Sequence, residues 1–248
     1  MRILITNDDG IHAPALRVLQ EALRPFGPVV VVAPDRDQSA TSHALTLQRP
    51  LRVNRIADDI YSVDGTPTDC VVIAANGLLP ERPELVVSGI NHGPNMGEDV
   101  TYSGTVAAAM EGTMQGVPAL AVSLVTRAPA DFVEPSRFVA QLVRKVQEHG
   151  MGRGTLLNVN LPHRPWSDVR GVRITRLGTR IYRDSLVEKI DPRGKTYYWI
   201  GGLEPVWVRE EGTDFHAVEE GYISVTPLSL DLTHYKTLVE MEAWGLAP

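Results

Sequence analysis

Ile3 Leu4 Ile5 Thr6 Asn7 Asp8 Asp9 Gly10 is followed by Ala13 to Leu23 and then by Pro28 Val29 Val30 Val31 Val32 Ala33. A short apolar run that halts on polar residues reads as a buried strand. Leu16, Leu19 and Leu23 recur at helical spacing, and the four valines form a second strand. Continuous valine and isoleucine, rather than alternation with polar residues, predicts strands covered on both faces, as in a parallel sheet. Strand, loop, helix and strand are thus legible within the first 35 residues.

The same alternation continues outward. Thr66 and Pro67 offer an N-cap and a first-turn proline for a helix through Val71 and Ala75, with Asp69 at its positive end. Leu85 to Val87 reads as a strand, Gly104 to Gln115 as a small-residue helix and Pro118 to Val125 as a strand. Pro135 to His149 reads as an amphipathic helix and Leu156 to Leu161 as a further strand. Repeated strand and helix predict an α/β fold with a doubly wound, mostly parallel sheet. After about Gly171 the pattern changes. Val172 to Leu177 alternates, and Arg180 to Val187 and Lys195 to Ile200 flank the turn-forming Asp191 Pro192 Arg193 Gly194, which predicts a protruding β-hairpin rich in Tyr and Trp. Tyr222 to Thr226 is expected to be a strand and Thr233 to Trp244 a closing C-terminal helix.

Composition narrows the function classes. The 248 residues carry 24 basic and 30 acidic side chains, a net charge of -6. Broad binding to a nucleic-acid polymer or an anionic membrane favours a basic face, so neither partner is expected. No stretch approaches the roughly 18 apolar residues of a spanning helix. The first apolar run stops at two carboxylates, too early for a signal peptide, so a cytoplasmic location is the default expectation. Cys70, the single cysteine, lies in an apolar run and reads as a buried, inert thiol.

In doubly wound folds ligands gather at the carboxyl ends of the strands, and three loops there are unusually polar. In Thr6 Asn7 Asp8 Asp9 Gly10, two adjacent carboxylates repel unless a cation offsets them, and hard divalent ions take such oxygen ligands. The rival reading is a solvated turn with a helix cap. In Pro34 Asp35 Arg36 Asp37 Gln38 Ser39 Ala40, Ser39 can supply a neutral oxygen and Arg36 can steady an anion, although an ordinary polar loop explains the stretch as well. The third loop, Ser88 to Gly97, is dense in glycine and asparagine. It leads through Tyr102 to Ser103 Gly104 Thr105, the start of an alanine-rich helix and a ready anion site. The Walker pattern GxxxxGK[ST] is absent, as is a GxSxG nucleophile elbow. His12, His43 and His92 lie nearby without zinc-ligand spacing and read as surface or supporting groups.

These stretches together resemble the stationary-phase survival protein SurE family. The resemblance rests on ILITNDDGIHAPAL, PDRDQSA, DGTPTDCV, SGINHGPNMGEDVTYSGTVAAAMEG and GYISVTPL, in that order over most of the chain. It implies a metal-dependent phosphatase acting on nucleoside monophosphates, a 5′-nucleotidase with 3′-nucleotides and polyphosphate as further substrates. The implied fold has a Rossmann-like core and C-terminal elements exchanged between the subunits of a homodimer or homotetramer. Carried over by motif, Asp8, Asp9, Ser39 and Asn91 hold one divalent cation per subunit, and Asn95, Ser103, Gly104 and Thr105 face the phosphate. Asp8, Asp9 and Asn95 are the catalytic candidates. The chain is then one domain, with its core at about 1–178 and 222–232, a hairpin extension at about 179–202 and a terminal helix at about 233–244.

Two carboxylates, a hydroxyl and an amide form an oxygen-rich set suited to Mg or Mn. The expected mechanism is in-line attack by metal-activated water on a phosphomonoester, with Asp8 orienting or deprotonating the water and a direct aspartyl nucleophile as the competing scheme. Rivals fit less well. A haloacid-dehalogenase-type phosphatase spaces its carboxylates two apart. A receiver domain needs a lysine where Thr126 and Arg127 follow the Ala119 to Val125 strand. A His-x-x-Asp-Asp zinc amidohydrolase lacks its histidine, since Ile5 and Thr6 precede Asn7. The non-enzyme alternative is a metal-stabilised nucleotide-binding or interaction protein without turnover.

Overall fold

The computed structural model describes residues 1–181, 186–200 and 206–246. In chain order the elements are β1 (Ile3–Thr6), α1 (Pro14–Leu23), β2 (Val29–Pro34), β3 (Val53–Ala57), β4 (Ile60–Val63), α2 (Pro67–Ile73), β5 (Leu85–His92), α3 (Gly104–Met114), β6 (Ala119–Val125), α4 (Val133–His149) and β7 (Thr155–Pro162). They continue as β8 (Val172–Ile174), β9 (Arg180–Ile181), β10 (Leu186–Ile190), β11 (Thr196–Ile200), β12 (Val206–Trp207), α5 (Asp214–Glu219), β13 (Ile223–Ser229) and α6 (Tyr235–Glu242).

Nine strands form one sheet in the order β3-β4-β2-β1-β5-β6-β7-β13-β8. The strands from β4 to β7 run parallel, while β3 against β4 and β13 against β7 are antiparallel. Every residue of β1 and β2 is buried, as expected for strands with helices on both sides. Leu16 and Leu19 of α1 and Val139 and Val143 of α4 pack on one sheet face with Ile3, Ile5 and Val87. Cys70 and Val71 of α2 and Val106 and Ala109 of α3 pack on the other with Leu4 and Val86. The mixed, mostly parallel α/β sheet is the one the sequence pattern implies.

Thr66 caps α2 as its sequence suggests. Its hydroxyl accepts from the Asp69 amide, and the Asp69 carboxylate accepts from the Thr66 amide. Cys70 is fully buried, and burial pushes its thiol well above the ordinary range, consistent with an inert group. The β3–β4 hairpin was not legible in the sequence. Every residue of β3 is exposed, so no burial pattern marks it.

The ribbon differs in detail from expectation. Its first strand runs on to Ile190 instead of stopping at Val187, pairing Leu186 with Ile200 and Ile190 with Thr196. Asp191 closes the turn by accepting from the Gly194 amide, 2.9 Å. A second and separate two-stranded pairing joins Val206 with Ile181 and Trp207 with Arg180. Residues 182–185 and 201–202, which the expected hairpin includes, lie outside the described residues.

Candidate active site

Five segments meet at the carboxyl edge of the parallel strands: the β1 loop, the β2 loop, the end of β5, the loop through Asn95 and the start of α3. Asn7 shapes the first. Its side chain accepts from the Gly10 amide, 3.2 Å, and donates to the Gly10 carbonyl, 3.1 Å. Gly10 has φ +94°, and a Cβ there would lie 2.9 Å from the Arg36 carbonyl carbon, so glycine alone lets the first two loops touch.

Asp8 is buried against α3. Its Oδ1 accepts from the Thr105 hydroxyl at 2.5 Å and its Oδ2 from the Thr105 amide at 3.1 Å, while the Asp8 carbonyl accepts from the Gln38 amide at 2.8 Å. Gly104 makes this approach possible, because a Cβ would stand 2.9 Å from that of Asp8. Burial raises the Asp8 carboxyl above its ordinary value despite the two Thr105 donors. Asp9 is raised to about 6, first by burial and then by the neighbouring Asp8 charge; the His92 amide, 3.3 Å away, opposes the shift.

Asp37 joins them, a residue that the motif reading passed over although it lies in the same loop as Ser39. Its charge adds to the upward shift of both Asp8 and Asp9. It also accepts from the Ser39 amide and hydroxyl, 2.7 and 2.6 Å. Ser39 therefore spends its hydroxyl hydrogen on Asp37 and keeps oxygen lone pairs for another partner. Asn91 donates its Nδ2 to the Gly93 carbonyl, 2.9 Å, which leaves its amide oxygen for the same use.

Asn95 is held from β6 and β7. Its amide donates to Asn160 Oδ1, its carbonyl accepts from the side chains of Asn158 and Asn160, and its Nδ2 donates to the Ser123 hydroxyl, all at 2.8–2.9 Å. Sequence reasoning missed these three. They sit in strands whose apolar neighbours dominate, but alternation in Asn158 Val159 Asn160 is a signal, since buried asparagines need dedicated partners.

At the start of α3, Ser103 accepts from the Val106 amide, 3.1 Å. Thr105 is fully buried, with amide and hydroxyl both turned to Asp8. Of the amides of Gly104, Thr105 and Val106, that of Gly104 alone has no acceptor among the described hydrogen bonds. Thr105 is thus placed to act through Asp8. His43 pairs with Glu111 at 3.0 Å and ties the loop after β2 to α3, and that bond lowers the Glu111 carboxyl.

The family model for Survival protein SurE matches residues 3–184. The chain belongs to the SurE family. A 5′-nucleotidase SurE of Geobacter sulfurreducens is 55% identical over 248 residues, all of this chain and 95% of that protein. A 5′-nucleotidase SurE of Geotalea daltonii is 51% identical over 99% of this chain and its own full length. The crystal structure of the SurE protein from Aquifex aeolicus superposes with a TM-score of 0.88 at 44% identity, covering 98% of this chain and 99% of that one. Every site residue described above falls within the SurE match, whereas α5, β13 and α6 lie beyond it.

SurE-family enzymes are metal-dependent phosphatases, and the donors present suit a hard cation. Among the described residues no three His, Cys, Asp or Glu side chains cluster as a metal site by themselves. The neutral oxygens of Ser39 and Asn91 keep lone pairs beside these carboxylates. Two adjacent carboxyls with raised pKa values, Asp8 buried and Asp9 half-buried, are what an oxygen site shows without its compensating charge. No described helix is long and apolar enough to cross a membrane.

Proposed function

We propose that the chain is a 5′-nucleotidase, a phosphoric monoester hydrolase that removes phosphate from nucleoside monophosphates, with 3′-nucleotides and polyphosphate as further substrates. The observation that carries this reading is the pair of adjacent carboxyls with raised pKa values in a SurE-family chain, Asp8 buried against the start of α3 and half-buried Asp9 against the end of β5.

One divalent cation per subunit, Mg or Mn, would be held by Asp8, Asp9, Ser39 and Asn91. When bound, it supplies positive charge that polarises a phosphoryl oxygen and eases deprotonation of water. The chain's own groups do the rest. Asp8, with each oxygen fixed by a Thr105 donor, retains lone pairs to orient a water in line with phosphorus or to take its proton. Asn95 has one amide hydrogen committed to Ser123 and a second free for a phosphoryl oxygen. The Gly104 amide and the Ser103 hydroxyl hydrogen complete an anion cradle that stabilises charge as it develops. Thr105 serves phosphate indirectly, by fixing Asp8.

The chain is proposed to act as one domain, since strands from both ends of the sequence enter one sheet. A homodimer or homotetramer in the cytoplasm, exchanging C-terminal elements, suits the exposed surface. Trp199 is 62% exposed and Trp244 65%, and no residue of α6 is buried. Light scattering tests the assembly, with a monomer contradicting it. The activity is tested by phosphate release from nucleoside monophosphates, sugar phosphates and polyphosphate, with Mg, Mn and chelator. A protein that binds nucleotide without turnover would be the non-enzyme alternative.

A further inference from the structure

Asp214 lies on α5, beyond the matched residues 3–184, and it is fully buried. Its Oδ2 accepts from the Gly97 amide at 2.8 Å, and its Oδ1 accepts from the amides of Gly178 and Phe215 at 2.8 and 2.9 Å. Gly97 is two residues past Asn95 and 117 positions from Asp214. Thr213 already caps α5 by accepting from the His216 amide at 3.3 Å, so capping does not account for a carboxylate that accepts from an amide so far away. The contact is also too close for other residues. A Cβ on Gly97 would stand 2.6 Å from the Gly178 carbonyl oxygen and 2.7 Å from the Phe215 ring.

The far side of this junction is the β9–β12 pair. Phe215 stacks on Trp207 of β12, whose partner Arg180 donates its amide to Glu98 at 2.7 Å and pairs with Asp99. Met96, between Asn95 and Gly97, packs in the same small apolar cluster as Phe215 and Val218.

We propose that Asp214 is a positioning residue for phosphoryl transfer: through Gly97 it fixes the loop that carries Asn95 and couples it to the β9–β12 pair. This rests on the phosphatase reading above. The loop is then held at two points, at Asn95 by Asn158, Asn160 and Ser123 and at Gly97 by Asp214. A 1 Å error in such a group costs rate more than affinity.

Asp214→Asn tests it with little loss of volume. The amide oxygen keeps most hydrogen bonds at the Oδ1 position, facing Gly178 and Phe215, and the NH2 then meets the Gly97 amide without an acceptor. Full-length wild-type and variant protein are compared for nucleoside monophosphate turnover, for Mn binding by calorimetry and for amide exchange over residues 95–101. The expected result is kcat reduced tenfold or more, KM and the Mn dissociation constant changed less than about twofold, and exchange over residues 95–101 faster by tenfold or more. Unchanged kcat per folded molecule in an active wild type would overturn the proposal, as would unchanged exchange over residues 95–101 whether or not the wild type turns over. An inactive wild type would overturn the phosphatase reading, and the exchange result would still decide the coupling.

Discussion

Thr105 holds Asp8 with both of its donors, across 97 positions of chain: the amide reaches Oδ2 and the hydroxyl reaches Oδ1. The first catalytic candidate is therefore built jointly by the β1 loop and the start of α3. A helix N-terminus favours an anion, and here the first anion it meets belongs to the protein.

Thr105→Val keeps the shape of the side chain and removes the hydroxyl. The buried Asp8 Oδ1 then loses a partner, at a cost of about 1–3 kcal/mol, and the Asp8 carboxyl rises further. Turnover is expected to fall tenfold or more, with Thr105→Ser restoring most of it. Thermal unfolding and steady-state kinetics check this, and a fully active valine variant would remove Thr105 from the account.

Gly104→Ala separates helix propensity from site geometry. Alanine gains about 1 kcal/mol over glycine inside a helix. The added Cβ, however, would lie 2.9 Å from the Asp8 Cβ and 3.2 Å from Pro67 Cγ, and such overlap costs about 1–3 kcal/mol. Stability is expected to change little or fall modestly while kcat falls at least tenfold. A variant of normal kcat would show that Asp8 tolerates displacement.

Asp9 gives the protein a pH signature. Its folded-state pKa of about 6 stands above the ordinary 3.8, so the protonated form is favoured by folding. That contribution is fully present below pH 3.8 and is lost as pH rises through about 6; the raised Asp8 acts in the same direction. Metal-free protein should lose about 1–3 kcal/mol of stability between pH 4 and 7 from Asp9. A cation favours the ionised form, so added Mn should raise the Tm more at pH 8 than at pH 5. Asp9→Asn should flatten the metal-free profile and abolish metal-dependent turnover while the fold is kept. Identical profiles for wild type and variant would contradict the Asp9 shift.

The sheet was readable because its strands are buried on both faces and therefore written as unbroken apolar runs, Val29 to Val32 above all. The β3–β4 hairpin was not, because exposed edge residues such as Asn54 and Arg55 answer to backbone pairing and leave no apolar pattern. In the site, residue types pointed to chemistry more readily than to contacts. Asp8, Asp9, Ser39 and Asn91 could be named from oxygen chemistry and motif. That Thr105 faces Asp8 depends on how two loops 97 positions apart meet, and spacing along the chain does not encode that; the Asp37–Ser39 bond, by contrast, is local and follows an Asp two residues before a Ser. Asn158, Asn160 and Asp214 are far from Asn95 in sequence, and only tertiary structure brings them to its loop.

The most direct measurement is phosphate release from a nucleoside monophosphate by wild-type protein with Mn or Mg, with excess chelator, with cation restored after chelation, and by Asp9→Asn. The account predicts turnover that chelator abolishes and added cation restores, with the variant at least a hundredfold slower. Full turnover in excess chelator, or no release from any nucleoside monophosphate with either cation, would contradict it.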